Sequence, residues 1–480
     1  MHTTHNSLHL PGAGRRYRMA AFAAAALAAD LVAVGCAKYR AQPLDLEAHR
    51  AAYLERTPPA EIEAAEGGST INCAQAEAIG LVLNPQLRIA RLKSGVARAT
   101  AENAGLWNDP TIGIDLTRLL EGSGQGWEVL GSVGLTVPIS GRLEIEKARA
   151  GSAEMVELLR VARDEWLVRI AIRRAWAEWI AAQASFVSEE RFFARVSEIL
   201  RLVDTMEARG EISRIEARLF RLERMSAIAS FQSLVARVES ARLAILALIG
   251  LPPNAVLKMQ NSPFETDSPV DTERMRQNIV ATNPSVQVLR AEYLLAEHSV
   301  ELEVERQYPD LQIGPGYGEQ DGDRQFVLGL GIALPIFNAN RQAIAEAIAT
   351  REVARASAEN AVESLLAEIA AVEIEWRASS AHRTLIAEEI LPLMEAQDMD
   401  VRRLAQLGGE IDALILLESL KREHEVRLKL IETTHAESRA ALRIMEIAGP
   451  RVPECAGASE STSTASATTT VAPRMSETTP

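Results

Sequence analysis

Apolar residues recur along this chain with two different periods. Over most of its length they step by three and four: Val196, Ile199, Val203 and Met206 in one stretch, Leu365, Ile369, Val372 and Trp376 in another. That is heptad spacing, which lines one side of a helix and seats it against a neighbouring helix. The pattern runs from about Arg142 to Arg209 and from about Arg341 to Leu407, roughly 65 residues each, or ~100 Å at a rise of 1.5 Å per residue. No globular core is that deep. The stripes therefore read as helix-to-helix packing that touches no cofactor.

Two short segments alternate instead. Between Pro110 and Pro138, Ile112, Ile114 and Leu116 interleave with Gly113, Asp115 and Thr117; after the turn-forming GSGQG, Trp127, Val129, Val133, Leu135 and Val137 share one face, opposite Glu128, Ser132, Gly134 and Thr136. Between Pro309 and Pro335, Phe326, Leu328, Leu330, Ile332 and Leu334 face away from Val327, Gly329, Gly331 and Ala333. Period two predicts a β-hairpin in each place. Strands of about 8 to 11 residues suit a tilted crossing of ~30 Å of hydrocarbon. A two-stranded hairpin left between long helices is marginal in water. The hairpins thus read as membrane-spanning. In lipid an open sheet edge leaves unpaired N–H and C=O groups, so four strands per chain must close with other chains. Two chains give eight strands and an interior filled by side chains, three give twelve and room for a conduit, which favours a trimer.

The pattern occurs twice. Asn84-Pro85 recurs as Asn283-Pro284, Pro110 as Pro309, VPISGR with Pro138 and Arg142 as LPIFNANR with Pro335 and Arg341, GEIS at Gly210 as GEID at Gly409, and Gly250 as Gly449. A period near 200 residues is a duplicated, domain-sized unit rather than a solenoid repeat. The expected fold is mainly α with a small β part: duplicated long coiled-coil helices plus four transmembrane β-strands per chain. Residues 69–250 form the first repeat, 251–268 a linker and 269–449 the second repeat.

Composition sharpens the ends. Arg15, Arg16 and Arg18 precede a small-residue apolar run, the pattern of a signal peptide over residues 1–35. That run ends in Ala33-Val34-Gly35-Cys36, which resembles a bacterial lipobox; lipidation at Cys36, or simple cleavage there, would begin the mature chain. Residues 36–68 would then be a lipid-anchored extension, and the Ser/Thr-rich residues 450–480 read as a disordered tail. A net charge of −14, with Arg and Glu interleaved, argues against nucleic acid as a partner. Cys36, Cys73 and Cys455 lack metal-type spacing, and His2, His5 and His9 precede the signal, so neither metal site nor cofactor is expected. No nucleophile elbow, phosphate loop or paired-carboxylate setting points to an enzyme.

From about Ser69 to Gly449 the ordered motifs resemble the TolC family of outer-membrane efflux proteins, including its lipid-anchored members. CAQAEAIGLVLNPQL is similar to the family's opening helix, the Pro-Ile pairs at Pro138 and Pro335 to its strand-to-helix joints, and GEISRIEARLFRLE and GGEIDALILLES to its helical tips. The resemblance implies a homotrimer with a 12-stranded barrel in outer-membrane lipid, continued as a periplasmic tunnel. It implies as partners a periplasmic adaptor and an inner-membrane pump of RND or ABC type. Gly210, Glu211, Ser213, Gly409, Glu410 and Asp412 would be the adaptor-docking tips, with Gly210 and Gly409 in the left-handed turn and Glu211, Ser213, Glu410 and Asp412 able to cap helix starts. Glu410 and Asp412 are also candidates for a pore constriction. The implied function is a passive efflux conduit for drugs or metal cations. GEIS resembles the heavy-metal branch; a type I secretion duct or a periplasmic coiled-coil adaptor are the alternatives.

Overall fold

The computed structural model describes residues 39–59, 70–118, 127–262, 271–320, 323–406 and 413–450. Cys36, Gly409, Glu410 and Asp412 lie outside them, as do the signal segment and the C-terminal tail. The chain divides into two compact units, Met1–Glu55 and Arg56–Pro480. In the first, helix α1 (Leu46–Leu54) starts where the Asp45 side chain accepts from the Ala48 N–H at 2.9 Å.

The second unit holds both repeats. The first comprises β1 (Thr70–Ile71), α2 (Cys73–Leu83), α3 (Pro85–Glu102), β2 (Thr111–Arg118), β3 (Trp127–Val137), α4 (Arg142–Arg209) and α5 (Arg214–Leu248). After β4 (Lys258–Met259), which pairs in parallel with β1, the second comprises α6 (Thr272–Thr282), α7 (Pro284–Glu305), β5 (Leu311–Gln320), β6 (Asp323–Ile332), α8 (Arg341–Leu385), α9 (Leu391–Gln406) and α10 (Ala413–Ala448). The 68 residues of α4 extend ~100 Å. It packs on α2, α3 and α5 of its own repeat and on α7 and α10 of the other.

The heptad stripes are core. Val196 and Ile369 are fully buried, Val203 and Val372 nearly so, and they pack in small clusters strung along the helices. The largest cluster joins α2, α4 and α5 around Ile79, Ile172, Trp176, Ile245 and Ile249. Ile279, Ile369 and Ile447, with Val372 and Ile444 beside them, do the same for α6, α8 and α10.

The long helix of the second repeat departs from the uninterrupted 341–407 expected from the sequence. Between α8 and α9, Ile386–Ile390 form a π-turn, closed by the Leu391 N–H on the Ile386 carbonyl. The cause is Pro392. Its ring carries no N–H and crowds the carbonyl four residues back, and one wider turn relieves the clash without ending the helix. The helix before each hairpin is split in two at Asn84-Pro85 and Asn283-Pro284, and its second part stops at Glu102 and Glu305.

That split explains the repeated Asn-Pro. Asn84 is the N-cap of α3: its side chain accepts from Gln86 N–H and Leu87 N–H at 2.9 and 3.1 Å and donates to the Leu248 carbonyl at 2.7 Å. Asn283 repeats the arrangement on α7, accepting from Ser285 and Val286 at 2.9 and 3.1 Å and donating to Ile447 at 2.7 Å. Proline follows as the first helical residue, where its missing N–H costs nothing. Gly250 and Gly449, in left-handed conformation at φ +76° and +81°, end α5 and α10 against the same joint. A Cβ there would stand 2.3 Å from the Leu83 carbonyl or 2.2 Å from that of Thr282, so only glycine fits.

Candidate membrane sheet and helix tip

The two hairpins join edge to edge into one antiparallel sheet of order β2-β3-β5-β6. Register decides what each face carries. Ile112 faces Val133 and Leu116 faces Val129; Leu135 faces Ile313 and Val137 faces Leu311; Tyr317 faces Phe326, Ile313 faces Leu330 and Leu311 faces Ile332. Because directly paired residues share a face, these apolar side chains form one continuous surface across four strands. It is open to the surroundings: Ile112 is 76 % exposed, Ile114 71 %, Phe326 70 % and Leu330 67 %. The opposite face is polar and glycine-rich, with Gly113, Ser132, Thr136, Gln312, Gly314, Gly316, Gly318 and Gln325. The alternation read from the sequence is thus present in both hairpins.

An exposed apolar face of this extent is a surface for lipid or protein. Exposed Trp107, Tyr308 and Phe337 stand in the joints between helices and sheet, and Tyr317 and Phe326 toward the hairpin turns. Aromatic residues at the two ends of an apolar band are the arrangement expected at two water–lipid boundaries. The joints are held by charge: Arg142, at the start of α4, donates to Asp310 before β5 at 3.0 Å, and Arg306 pairs with Glu303 at 2.7 Å. Asn340, in the left-handed region at φ +53°, donates to the Glu303 carbonyl and carboxylate. Strands β2 and β6 each have one unpaired edge within the chain. Among the described residues no helix is long and apolar enough to cross a membrane.

Residues 275–449 match the family model described as "Outer membrane efflux protein". Over that stretch the chain is similar to outer membrane efflux proteins. The matched stretch is the second repeat, and the first carries the same elements in the same order. Over 246 residues the chain is 26 % identical to the cobalt-zinc-cadmium resistance protein CzcC of Cupriavidus metallidurans, covering 50 % of this chain and 58 % of that one. In fold it is similar to the solved structure of CusC, with a TM-score of 0.64 and 14 % identity over 86 % of this chain and 99 % of that one. It is likewise similar to the open MtrE outer membrane channel of Neisseria gonorrhoeae, with a TM-score of 0.62 and 15 % identity over 86 % and 98 %.

The tip between α4 and α5 lies within the described residues. Gly210 takes φ +76°, and the Gly210 and Glu211 N–H groups close on the carbonyls of Glu207 and Met206 at 3.0 and 2.9 Å, a Schellman ending for α4. Ser213 caps α5: its hydroxyl accepts from the Glu216 N–H while the Glu216 carboxylate accepts from the Ser213 N–H. Glu211 caps nothing; it stands in the loop, 3.8 Å from Arg209. Arg221 reaches back to Asp204 and Glu207 on α4, and Phe220, Ala217, Leu200 and Val203 form the apolar floor beneath.

Sequence reasoning missed a polar seam between the repeats. His424 and His435 of α10 meet Glu189 and Glu178 of α4 at 3.0 and 3.2 Å, and Arg195 of α4 binds Asp398 and Glu423 at 2.7 and 3.0 Å. His424 stacks on Phe192 with ring centroids 4.2 Å apart. Burial pushes the His435 pKa below its ordinary 6.5 against the pull of Glu178, with Arg439 and Arg237 adding to the fall. Among the described residues no group of His, Cys, Asp and Glu is placed to hold a metal ion.

Proposed function

We propose that this chain is the outer-membrane channel of a tripartite efflux system, a passive trimeric conduit that carries drugs or metal cations out of the cell. The observation that carries this reading is the four-stranded sheet, apolar on one face and polar on the other, with two open edges and ~100 Å helices rooted beneath it. Edge β6 of one copy would pair with β2 of the next, and three copies would close twelve strands around a polar lumen. The helices of the same copies would continue the lumen into the periplasm. Their tips near Gly210 and Gly409 would meet a periplasmic adaptor coupled to an RND-type or ABC-type inner-membrane pump, the source of energy. Cys36 is the proposed site of a lipid anchor. Glu410 and Asp412 remain proposed members of a constriction at the inner opening.

A periplasmic coiled-coil adaptor is the competing reading, and the exposed apolar sheet disfavours it, since a soluble protein would have that face covered. Expression in a Gram-negative host separates the two. A channel will require detergent for extraction from the outer membrane and will run as trimers in native mass spectrometry. Release as a soluble monomer by osmotic shock would overturn the proposal.

A further inference from the structure

Along the seam between the repeats, α4 and α10 enclose a cleft of about 380 Å³. Its two walls have the same spacing: Ser188, Arg191, Phe192 and Arg195 step by three, one and three on α4, and Leu420, Glu423, His424 and Arg427 do so on α10. Such steps put all four side chains on one side of each helix, where a heptad seam is ordinarily filled. Phe192, Leu420 and the His424 ring stacked on Phe192 form an apolar floor. Three guanidiniums border it against one carboxylate. That carboxylate, Glu423, is held by Arg195 and Arg427 at 3.0 Å each, and Asp398 and Glu395 occupy the same two arginines at 2.7 Å each. Arg191, exposed at the opening, pairs with no acidic group among the described residues. Ser188 is the second irregularity. It is 8 % exposed, and its Oγ makes no hydrogen bond in the chain, whereas the hydroxyl of Ser185, one turn earlier on α4, donates to the Ala181 carbonyl at 2.9 Å. A buried hydroxyl left without a partner on the wall of a cleft is a donor open to an acceptor that enters.

We propose that this cleft binds a small organic carboxylate with a flat apolar body. Arg191 and Ser188 are three residues apart on one face of α4, so a single ligand reaches both. The guanidinium of Arg191 matches a carboxylate as a fork, the Ser188 hydroxyl donates to the same group, and the ring lies against Phe192, His424 and Leu420. The apolar floor favours such a ligand over an inorganic anion, which would give up more hydration than one open guanidinium returns. The volume suits one or two rings. Because its walls belong to different repeats, an occupant adds contacts between α4 and α10 and stiffens the seam. The inference stands whether or not the sheet closes into a barrel.

The test is fluorine NMR of para-trifluoromethylbenzoate titrated into the purified full-length protein in detergent, with empty micelles as the baseline. The wild type is expected to broaden the signal saturably, with a Kd below about 1 mM. The matching benzamide, of the same shape without the charge, should bind at least about tenfold more weakly. Arg191→Gln, at an exposed position, should weaken the benzoate at least about tenfold and Ser188→Ala about threefold. Ala194→Trp, which fills the opening from another exposed position, should abolish saturable binding. Equal helical circular dichroism in the wild type and the variants keeps the comparison to the site. A wild type that binds no benzoate saturably would overturn the inference, as would equal binding by wild type, Arg191→Gln and Ala194→Trp. Benzamide bound as tightly as benzoate would also overturn it, since charge would then play no part.

Discussion

Asn283 offers the most direct test of how the repeats are held together. Its side chain, 3 % exposed, serves two N–H groups in the first turn of α7 and the Ile447 carbonyl near the end of α10. Replacing it with alanine leaves all three without a partner and too deep for water. At about 1 kcal/mol net for each bond, the local cost is about 3 kcal/mol. That energy amounts to roughly a hundredfold rise in the population of the opened joint. Hydrogen exchange of the Val286 amide and its neighbours in the detergent-solubilised protein reads that population directly. Asn84→Ala should accelerate exchange equally at the start of α3, because the partners and distances are the same there. Asn283→Asp keeps both acceptor bonds but sets a carboxylate oxygen against the Ile447 carbonyl, so it should be at least as damaging as alanine at neutral pH. Exchange that changes less than threefold in Asn283→Ala would refute the reasoning. Full protection in Asn283→Asp would show that capping matters and the link to α10 does not.

The two kinds of left-handed glycine should part company. Gly210→Ala meets no atom within 4 Å and should lose only the roughly 1–2 kcal/mol of its φ, whereas Gly449→Ala adds a Cβ 2.2 Å from the Thr282 carbonyl and should lower the thermal midpoint of the protein several-fold more. Burial beside Glu77 pushes the Cys73 thiol up to about 12, so at pH 8 maleimide should leave Cys73 unmodified in the native protein and label it fully in denaturant. His435 binds its proton less readily folded than unfolded, so its contribution to stability is complete above about pH 6.5 and is lost as the pH falls from there through its lower folded pKa. His435→Gln should therefore narrow the difference in thermal midpoint between pH 7.5 and 5.5, and an unchanged difference would dismiss that residue as the source.

Much of this fold was legible because it depends on local period. The alternation around Ile112, Val133 and Phe326 placed three of the strands and their faces, and the stripe through Val196 and Val203 placed the helical core. The repeat halved the problem, since Asn84 and Asn283 confirm one another. What the chain concealed was of longer range. Nothing near Glu189 names His424 as its partner, and Arg195 finds Asp398 across 203 positions. Such pairs follow from which helices lie side by side, a property of the closed fold that no window of sequence contains. Pro392 is a different case. The signal was present in the sequence, but a single proline inside a strong heptad stripe could equally have ended the helix, and tertiary packing on α10 resolved it as a π-turn instead.

The two repeats have kept different things. The joint made by asparagine, proline and a left-handed glycine is the same in both to within the same bond lengths, because its geometry tolerates no other residues. Along the long helices the repeats have diverged. Helix α4 runs unbroken, whereas its counterpart is interrupted by the π-turn at Ile386–Ile390, and the buried polar seam pairs α4 with α9 and α10. A duplicated pair of identical helices would pack as well in several registers, since heptad stripes repeat every seven residues and a slide by one heptad costs little apolar contact. Charged and hydrogen-bonded pairs at fixed positions do not survive such a slide: moving α10 by one heptad would take His424 from buried Glu189, and would remove Glu423 from Arg195 and His435 from Glu178. The seam thus sets register where the hydrophobic stripe alone leaves it degenerate, and register along α4 and α10 determines the height at which the tips stand beneath the sheet.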